Sequence, residues 1–400
     1  MKPLHIEVCN MIEDDENLTF TDVAELLGVS IQYISKFKNK GIIGFCKLLK
    51  ISYILTTSAE EQRKVMSDWC LKLEKTEAIK QSFEYATITR NISLLEKLLG
   101  KYKHENGTIK EYVSVYKILY NYIINKIPGD KLIDEIQRIG LPTDSDLRIL
   151  MNIMKCYNYY FSKEFVLMLG VAQETEKQIM KLKGERKLFI KQCYIHRIAE
   201  VLGPAYLRLN NLEAARYYAY IIKHANISKK MLSDALYIIG MSYLTENKEQ
   251  CINFLKKSYK EAKMINEKLL EGEAKCNLEM AEMYYELVDS DRVKGMHSIM
   301  KMEEMFYQRE NEDFIKFFKA ACQESNIELH KCLREFFTQS NYLFSSLIAK
   351  ELYRRGEHSM VIEWMIDFKK ERGDECFEED SIDVFHGIIT SNNNRVSKRL

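Results

Sequence analysis

The chain has 400 residues with 46% hydrophobic and 29% charged, a composition that supports packed cores and excludes general disorder. Only 16 glycines and 4 prolines punctuate it, so a turn-rich β architecture is excluded and long helices are expected. The net charge of +1 conceals a local imbalance, because residues 26 to 59 hold Lys36, Lys38, Lys40, Lys47 and Lys50 and no acid.

The N-terminal residues are acidic (Glu7, Glu13, Asp14, Asp15, Glu16) where a signal peptide needs a basic and then an apolar run. No uninterrupted apolar stretch reaches the roughly 18 residues of a membrane span, so a cytoplasmic protein is expected. The apolar spacing of TDVAELLGVSIQYISKFKNK, from Thr21, predicts two short helices broken at Gly28. Ala24 is small where the helices cross, Gly28 permits a positive φ, and Ser30 can cap the second helix. Val23, Leu27, Val29, Ile34 and Phe37 form the expected shared core. Alanine, glycine and an aliphatic residue at the spacing of Ala24, Gly28 and Ile34 resemble the helix-turn-helix of bacterial and phage repressors. That resemblance places Ile31 to about Lys40 in the major groove of DNA, with Gln32, Tyr33, Ser35 and Lys36 near bases or phosphates. Lys38, Asn39, Lys40, Lys47 and Lys50 suit phosphate contacts. The plainer alternative is that these lysines are the solvated face of a helical domain.

From about Thr57 the pattern is helical with few breakers, and Pro128, Pro142 and Pro204 are expected near helix boundaries. Two segments, starting at Ile198 and Ala235, align so that Gly203 and Gly240, 37 residues apart, open Leu-Gly-x-x-Tyr and Ile-Gly-x-x-Tyr. Each reads as two helices around a polar turn (Asn210-Asn211; Glu246-Asn247-Lys248), with Ala215 or Cys251 small at the helix contact. This resembles the tetratricopeptide repeat, whose period is ~34 residues. A weaker third unit places Ala281 and Tyr284 in the glycine and tyrosine positions, and a fourth helical pair starts at Ile348. The faces lined by the first helices of such repeats bind peptides. In this register Arg197, Glu200, Asp234, Tyr237 and Met241, with Lys275, Glu282 and Tyr285, point toward that face. The alternative is that Tyr237, Met241 and Tyr285 belong to the core.

The expected fold is therefore all-α: a helix-turn-helix domain over 1–56, a degenerate repeat superhelix over 57–345, and a capping segment over 346–400. A repressor-type reader followed by degenerate repeats is similar to the arbitrium receptors, peptide-sensing regulators of temperate phages. The resemblance implies a homodimeric transcription regulator that binds double-stranded DNA and is switched by a short peptide to control the lysis-lysogeny decision. It also implies dimer contacts in Leu347 to Phe368, with Leu347, Leu352, Val361, Ile362 and Met365 as the candidates. Two of the family's peptide-contact positions, an asparagine and an arginine, fall at Pro204 and Lys230, and lysine keeps the charge without the bidentate fork.

No phosphate-binding glycine loop, HExxH motif or nucleophile elbow occurs, so no enzyme and no cofactor is expected. Ten cysteines lack CxxC pairing, the eight histidines are singletons, and the acidic run from Glu371 to Asp383 lacks calcium-loop spacing, so no metal site is expected. The competing reading is a repeat scaffold that sequesters a protein partner under peptide control.

Overall fold

The computed structural model describes residues 3–265, 267–289 and 312–371. Twenty α-helices and one 3-10 turn make up the described residues, with no strand among them. The chain divides into two compact units, the first comprising Met1–Phe161 with Met168–Ile198, the second Ser162–Leu167 with Ala199–Asp374. The first unit begins with α1 (Leu4–Glu13), α2 (Phe20–Leu27), α3 (Ile31–Lys40) and α4 (Phe45–Leu55), followed by α5 (Ala59–Lys72), α6 (Thr76–Ile88) and α7 (Ile92–Lys101). It continues with α8 (Gly107–Ile123), α9 (Leu132–Ile139), α10 (Ser145–Phe161), most of α11 (Phe165–Met180) and the first part of α12 (Glu185–Arg208).

Local chemistry sets the N-terminal helices. Thr19 and Asp22 close a reciprocal capping box at the start of α2, with Asp22 N–H donating to Thr19 Oγ1 at 3.2 Å and Thr19 N–H to Asp22 Oδ2 at 2.8 Å. Gly28 ends that helix at φ +63°, a left-handed conformation that costs a residue bearing a Cβ. Ser30 Oγ then accepts from the Tyr33 N–H at 3.3 Å and starts α3. Val23, Leu27, Ile34 and Phe37 are buried between the two helices, whereas Val29 is only half-buried. Phe45 of α4 lies 4.7 Å from the ring of Phe189 in α12 and 6.2 Å from that of Tyr85 in α6, so the N-terminal module shares a core with the helices after it.

The deepest feature of the first unit is polar. Glu84 of α6 has no solvent exposure; one carboxylate oxygen accepts from Arg197 Nε of α12 at 2.7 Å and the other from Tyr116 Oη of α8 at 2.6 Å. Burial, and then the neighbouring Glu84 charge, push the Tyr116 hydroxyl far above its ordinary value, so it stays a donor. Lys80, also on α6, donates to Glu77 and Asp144 at 2.7 Å each. Burial alone raises the Asp144 carboxyl, but the Lys80 hydrogen bond and charge outweigh it and hold Asp144 below the usual carboxylate range.

The second unit holds the rest of α12, then α13 (Leu212–Ala225), α14 (Lys229–Ser242), α15 (Lys248–Lys263) and α16 (Lys268–Asp289). It ends with α17 (Glu312–Ala321), α18 (Ile327–Thr338), α19 (Tyr342–Arg354) and α20 (Met360–Asp367). The two expected repeats occur as helical pairs, α12 with α13 and α14 with α15. Their polar turns are built alike: Asn210 takes φ +59°, Asn211 caps α13 by accepting from Ala214 N–H, and Asn247 caps α15 by accepting from Gln250 N–H. A Cβ on Gly240 would stand 2.9 Å from Leu255 Cγ and 3.2 Å from the Cys251 carbonyl oxygen, so glycine sets how closely α14 and α15 approach. Pro204 corrects the boundary expectation, because it lies inside α12, four residues before its end. Proline forfeits only one ladder hydrogen bond there, near a terminus where packing carries the helix. Ala281 and Tyr284 of the third unit are buried on α16, while the partner helix expected after residue 289 lies outside the described residues. The fourth pair is α19 with α20, clipped by Ser346 Oγ donating to the Ile366 carbonyl.

Replacing Arg197 by methionine strands the Glu84 carboxylate in the core and is expected to lower unfolding stability by about 3–5 kcal/mol. The double replacement Glu84→Gln with Arg197→Met should recover much of that loss, and guanidinium titration of the three chains checks both values. Ser30→Ala should cost ~1 kcal/mol through the lost cap, whereas Ser35→Ala on the exposed face of α3 should stay within ~0.5 kcal/mol; thermal unfolding compares them.

Candidate functional site

The packing of α2 against α3 leaves one polar face of α3 open. Gln32, Ser35, Lys36, Asn39 and Lys40 are exposed, spaced three or four residues apart opposite buried Ile34 and Phe37. Lys36 and Lys40 meet no carboxylate among the described residues, so two cations and three short polar side chains form this face.

Of the other positions expected to contact DNA, Tyr33, Lys38 and Lys47 make contacts within the protein. Lys38 Nζ donates to Glu13 Oε1 of α1 at 2.7 Å and lies 4.5 Å over the Phe20 ring. Lys47 Nζ donates to the Leu27 carbonyl at 2.9 Å, a cation on the C-terminal end of α2 where the helix dipole favours it. Half-buried Lys50 has its ammonium pushed down, first by burial and then by neighbouring Lys47. Tyr33 is half-buried, and its Oη accepts from the Gly44 N–H at 3.0 Å, holding the loop between α3 and α4. In this conformation Tyr33, Lys38 and Lys47 hold contacts within the N-terminal helices, and Lys50 is half-buried. The Lys38 pairing joins residues 25 positions apart, which no local pattern reveals.

The repeat residues divide in the same way. Arg197 is buried on Glu84, Met241 is 1% exposed, and Tyr285 is buried with its hydroxyl donating to the Leu244 carbonyl at 2.8 Å. These three are packing residues and present no ligand surface here. On α14, Lys230 and Asp234 form a half-buried i,i+4 ion pair at 2.6 Å, with half-buried Tyr237 one turn further on. On α16, Lys275 pairs with Glu279 at 3.4 Å and Glu282 is exposed, while Glu200 of α12 is half-buried. These accessible and half-buried positions carry charges of both signs, with one aromatic side chain.

At the end of the second unit, Leu347, Leu352 and Ile362 are core residues that join α19 to α20. That corrects the expectation that they form a contact surface. On α20 the exposed apolar side chains are Met360 at 85%, Val361 at 58% and Trp364 at 54%, with Met365 half-buried beside them. Sequence periodicity recognises the pair but not which of its apolar stripes faces outward.

Among the described residues no group of histidine, cysteine and carboxylate side chains is arranged to hold a metal ion, and no helix is long and apolar enough to cross a membrane. The acidic run beyond Glu371 lies outside the described residues.

Comparison with solved structures finds the same helical fold in SeMet-phAimR, with a TM-score of 0.65 at 20% identity over 90% of this chain and 99% of that one. The structure of phAimR-Ligand matches with a TM-score of 0.58 at 21% identity over 79% of this chain and 99% of that one. No curated protein matches the sequence. The model of the family described as AimR transcriptional regulator-like matches residues 62–308, more than half of the chain and most of both units. The chain belongs to the AimR transcriptional regulator-like family.

Proposed function

We propose that this protein is a DNA-binding transcription regulator of a temperate phage, acting in the bacterial cytoplasm, whose grip on its operator is set by a short communication peptide and so controls the choice between lysis and lysogeny. The observation that carries the DNA reading is the open face of α3, where Lys36 and Lys40 stand with Gln32, Ser35 and Asn39 on a short helix following a three-residue turn. In this reading Gln32 and Ser35 face base edges, and Lys36 and Lys40 contact phosphates. Lys38 ties α3 to α1, and Lys47 ties α4 to the C-terminal end of α2.

The peptide reading rests on family membership and on the side chains of Lys230, Asp234 and Tyr237 on α14 and Glu282 on α16. A short peptide has two charged termini, which a Lys–Asp pair can take up by exchanging its internal ion pair for two intermolecular ones. The peptide can shift DNA affinity only by binding one conformation more tightly than another, and a coupling of ~1–3 kcal/mol is the ordinary range. Two reading heads joined through the Met360–Val361–Trp364 face complete the picture of a homodimer on a two-half-site operator. The chemistry is recognition throughout, with no reaction and no cofactor.

Fluorescence anisotropy with labelled duplexes from either side of the gene tests the reading. Lys36→Ala with Lys40→Ala is expected to weaken binding and to reduce the slope of log affinity against log salt by about 2. An unchanged slope overturns the assignment of α3, and absence of any DNA binding by the parent chain favours the scaffold reading. For the dimer, Val361→Glu with Trp364→Glu should give monomers by light scattering with the helical signal intact, whereas a persistent dimer removes this face from the interface. Substitutions at Leu352 or Ile362 do not serve this purpose, because they disrupt the core.

A further inference from the structure

The first unit holds a cleft that neither the DNA reading nor the peptide reading uses. It has a volume of about 940 Å³ and runs along α10, between α9 and the α11 end of the unit. One continuous stripe of α10 forms its floor, with Ser145, Arg148, Ile149, Asn152, Lys155 and Tyr159 on one helical face. Ile133, Ile136 and Leu141 form one wall, and Val171, Gln178 and Leu182 the other. Leu141, at the rim, is 74% exposed, an apolar side chain held in water without cover among the described residues.

The charge of this cleft has one sign. Arg148, Lys155 and Lys181 line it, no carboxylate does, and none of the three meets a carboxylate among the described residues. Their polar contacts are neutral: Arg148 Nε donates to the Pro142 carbonyl at 2.8 Å and Lys155 Nζ to Asn152 Oδ1 at 3.2 Å. Glu174 accepts from Gln178 Nε2 at 3.1 Å and stands outside the lining. On the same unit Lys80 is matched by Glu77 and Asp144 and Lys187 by Asp146. The cleft thus combines three cations that meet no carboxylate among the described residues with apolar side chains from Ile133, Ile136, Leu141, Ile149, Val171 and Leu182.

We propose that the cleft is a docking groove for an acidic amphipathic helix of a partner protein. The α10 stripe from Ser145 to Tyr159 spans about 21 Å at 1.5 Å per residue, which matches a straight helix of about 14 residues lying in the trough. The floor and walls take the apolar stripe of such a helix at i, i+3, i+4 and i+7, and Arg148, Lys155 and Lys181 meet glutamates or aspartates flanking that stripe. A basic helix meets like charge on both sides and is excluded.

Two synthetic helical peptides of about 14 residues test this, sharing one leucine stripe and flanked by glutamate in one and lysine in the other. The full chain is expected to bind the acidic probe at least ~10-fold more tightly than the basic one by anisotropy. The chain with Lys155→Glu and Lys181→Glu should invert the order, and the gain of basic-probe binding shows that this variant is folded. Equal binding of both probes, no binding of the acidic probe, or an unchanged preference in the reversed chain overturns the proposal. Loss of acidic-probe binding in the Lys36→Glu, Lys40→Glu chain overturns it too, because the peptide is then held by α3.

Discussion

A carboxylate sealed away from water dictates much of the first unit. Glu84 cannot be left unmatched in a medium of low polarizability, so the fold must bring a cation and a hydroxyl to it from two other helices. Satisfying that demand fixes α6, α8 and α12 against one another with two directional bonds, where apolar packing alone tolerates sliding. Phe83 and Tyr116, with ring centroids 5.4 Å apart, fill the space beside the charge. Lys80 and Asp144 repeat the device closer to the surface, tying α6 to the start of α10. The helix that bears both devices is thus the element on which its neighbours are aligned.

The same economy explains why the basic segment near the N-terminus is not uniformly available. Lysines are spent inside the module wherever a helix end or an acid lies within reach, and those that remain cluster on the face pointing away from the core. Lys47 neutralises the carbonyl end of α2, and Lys38 bridges α3 to α1 over an aromatic ring. A sum of charges over this stretch overstates its capacity for an anionic partner, and the spatial residue of two cations is the better measure of it.

What was legible in the sequence is what short-range chemistry decides. Gly28 and Ser30 mark the turn because a positive φ and a cap are local requirements, and Gly240 marks a repeat because the close approach of α14 and α15 needs a missing side chain. Arg197, Met241 and Tyr285 were read as ligand contacts because their spacing follows the first helices of the repeats, yet burial depends on what lies across the helix. Arg197 meets Glu84 from 113 positions away, and such a pairing leaves no periodic trace. Leu352 and Val361 illustrate the same limit, since both are aliphatic residues of one helical pair, and only the packed structure separates the core stripe from the exposed one.

The contact of Phe45 with Phe189 and Tyr85 has a bearing on the entropy of recognition. A reading helix tethered by a loose linker surrenders rotational freedom each time it settles on a surface, and that loss is subtracted from its affinity. Here α4 is inserted into the core of the unit that carries it, so the orientation of α3 is settled once, during folding. The module then meets any partner already aligned, and a small set of contacts yields more net affinity than the same contacts on a swinging domain.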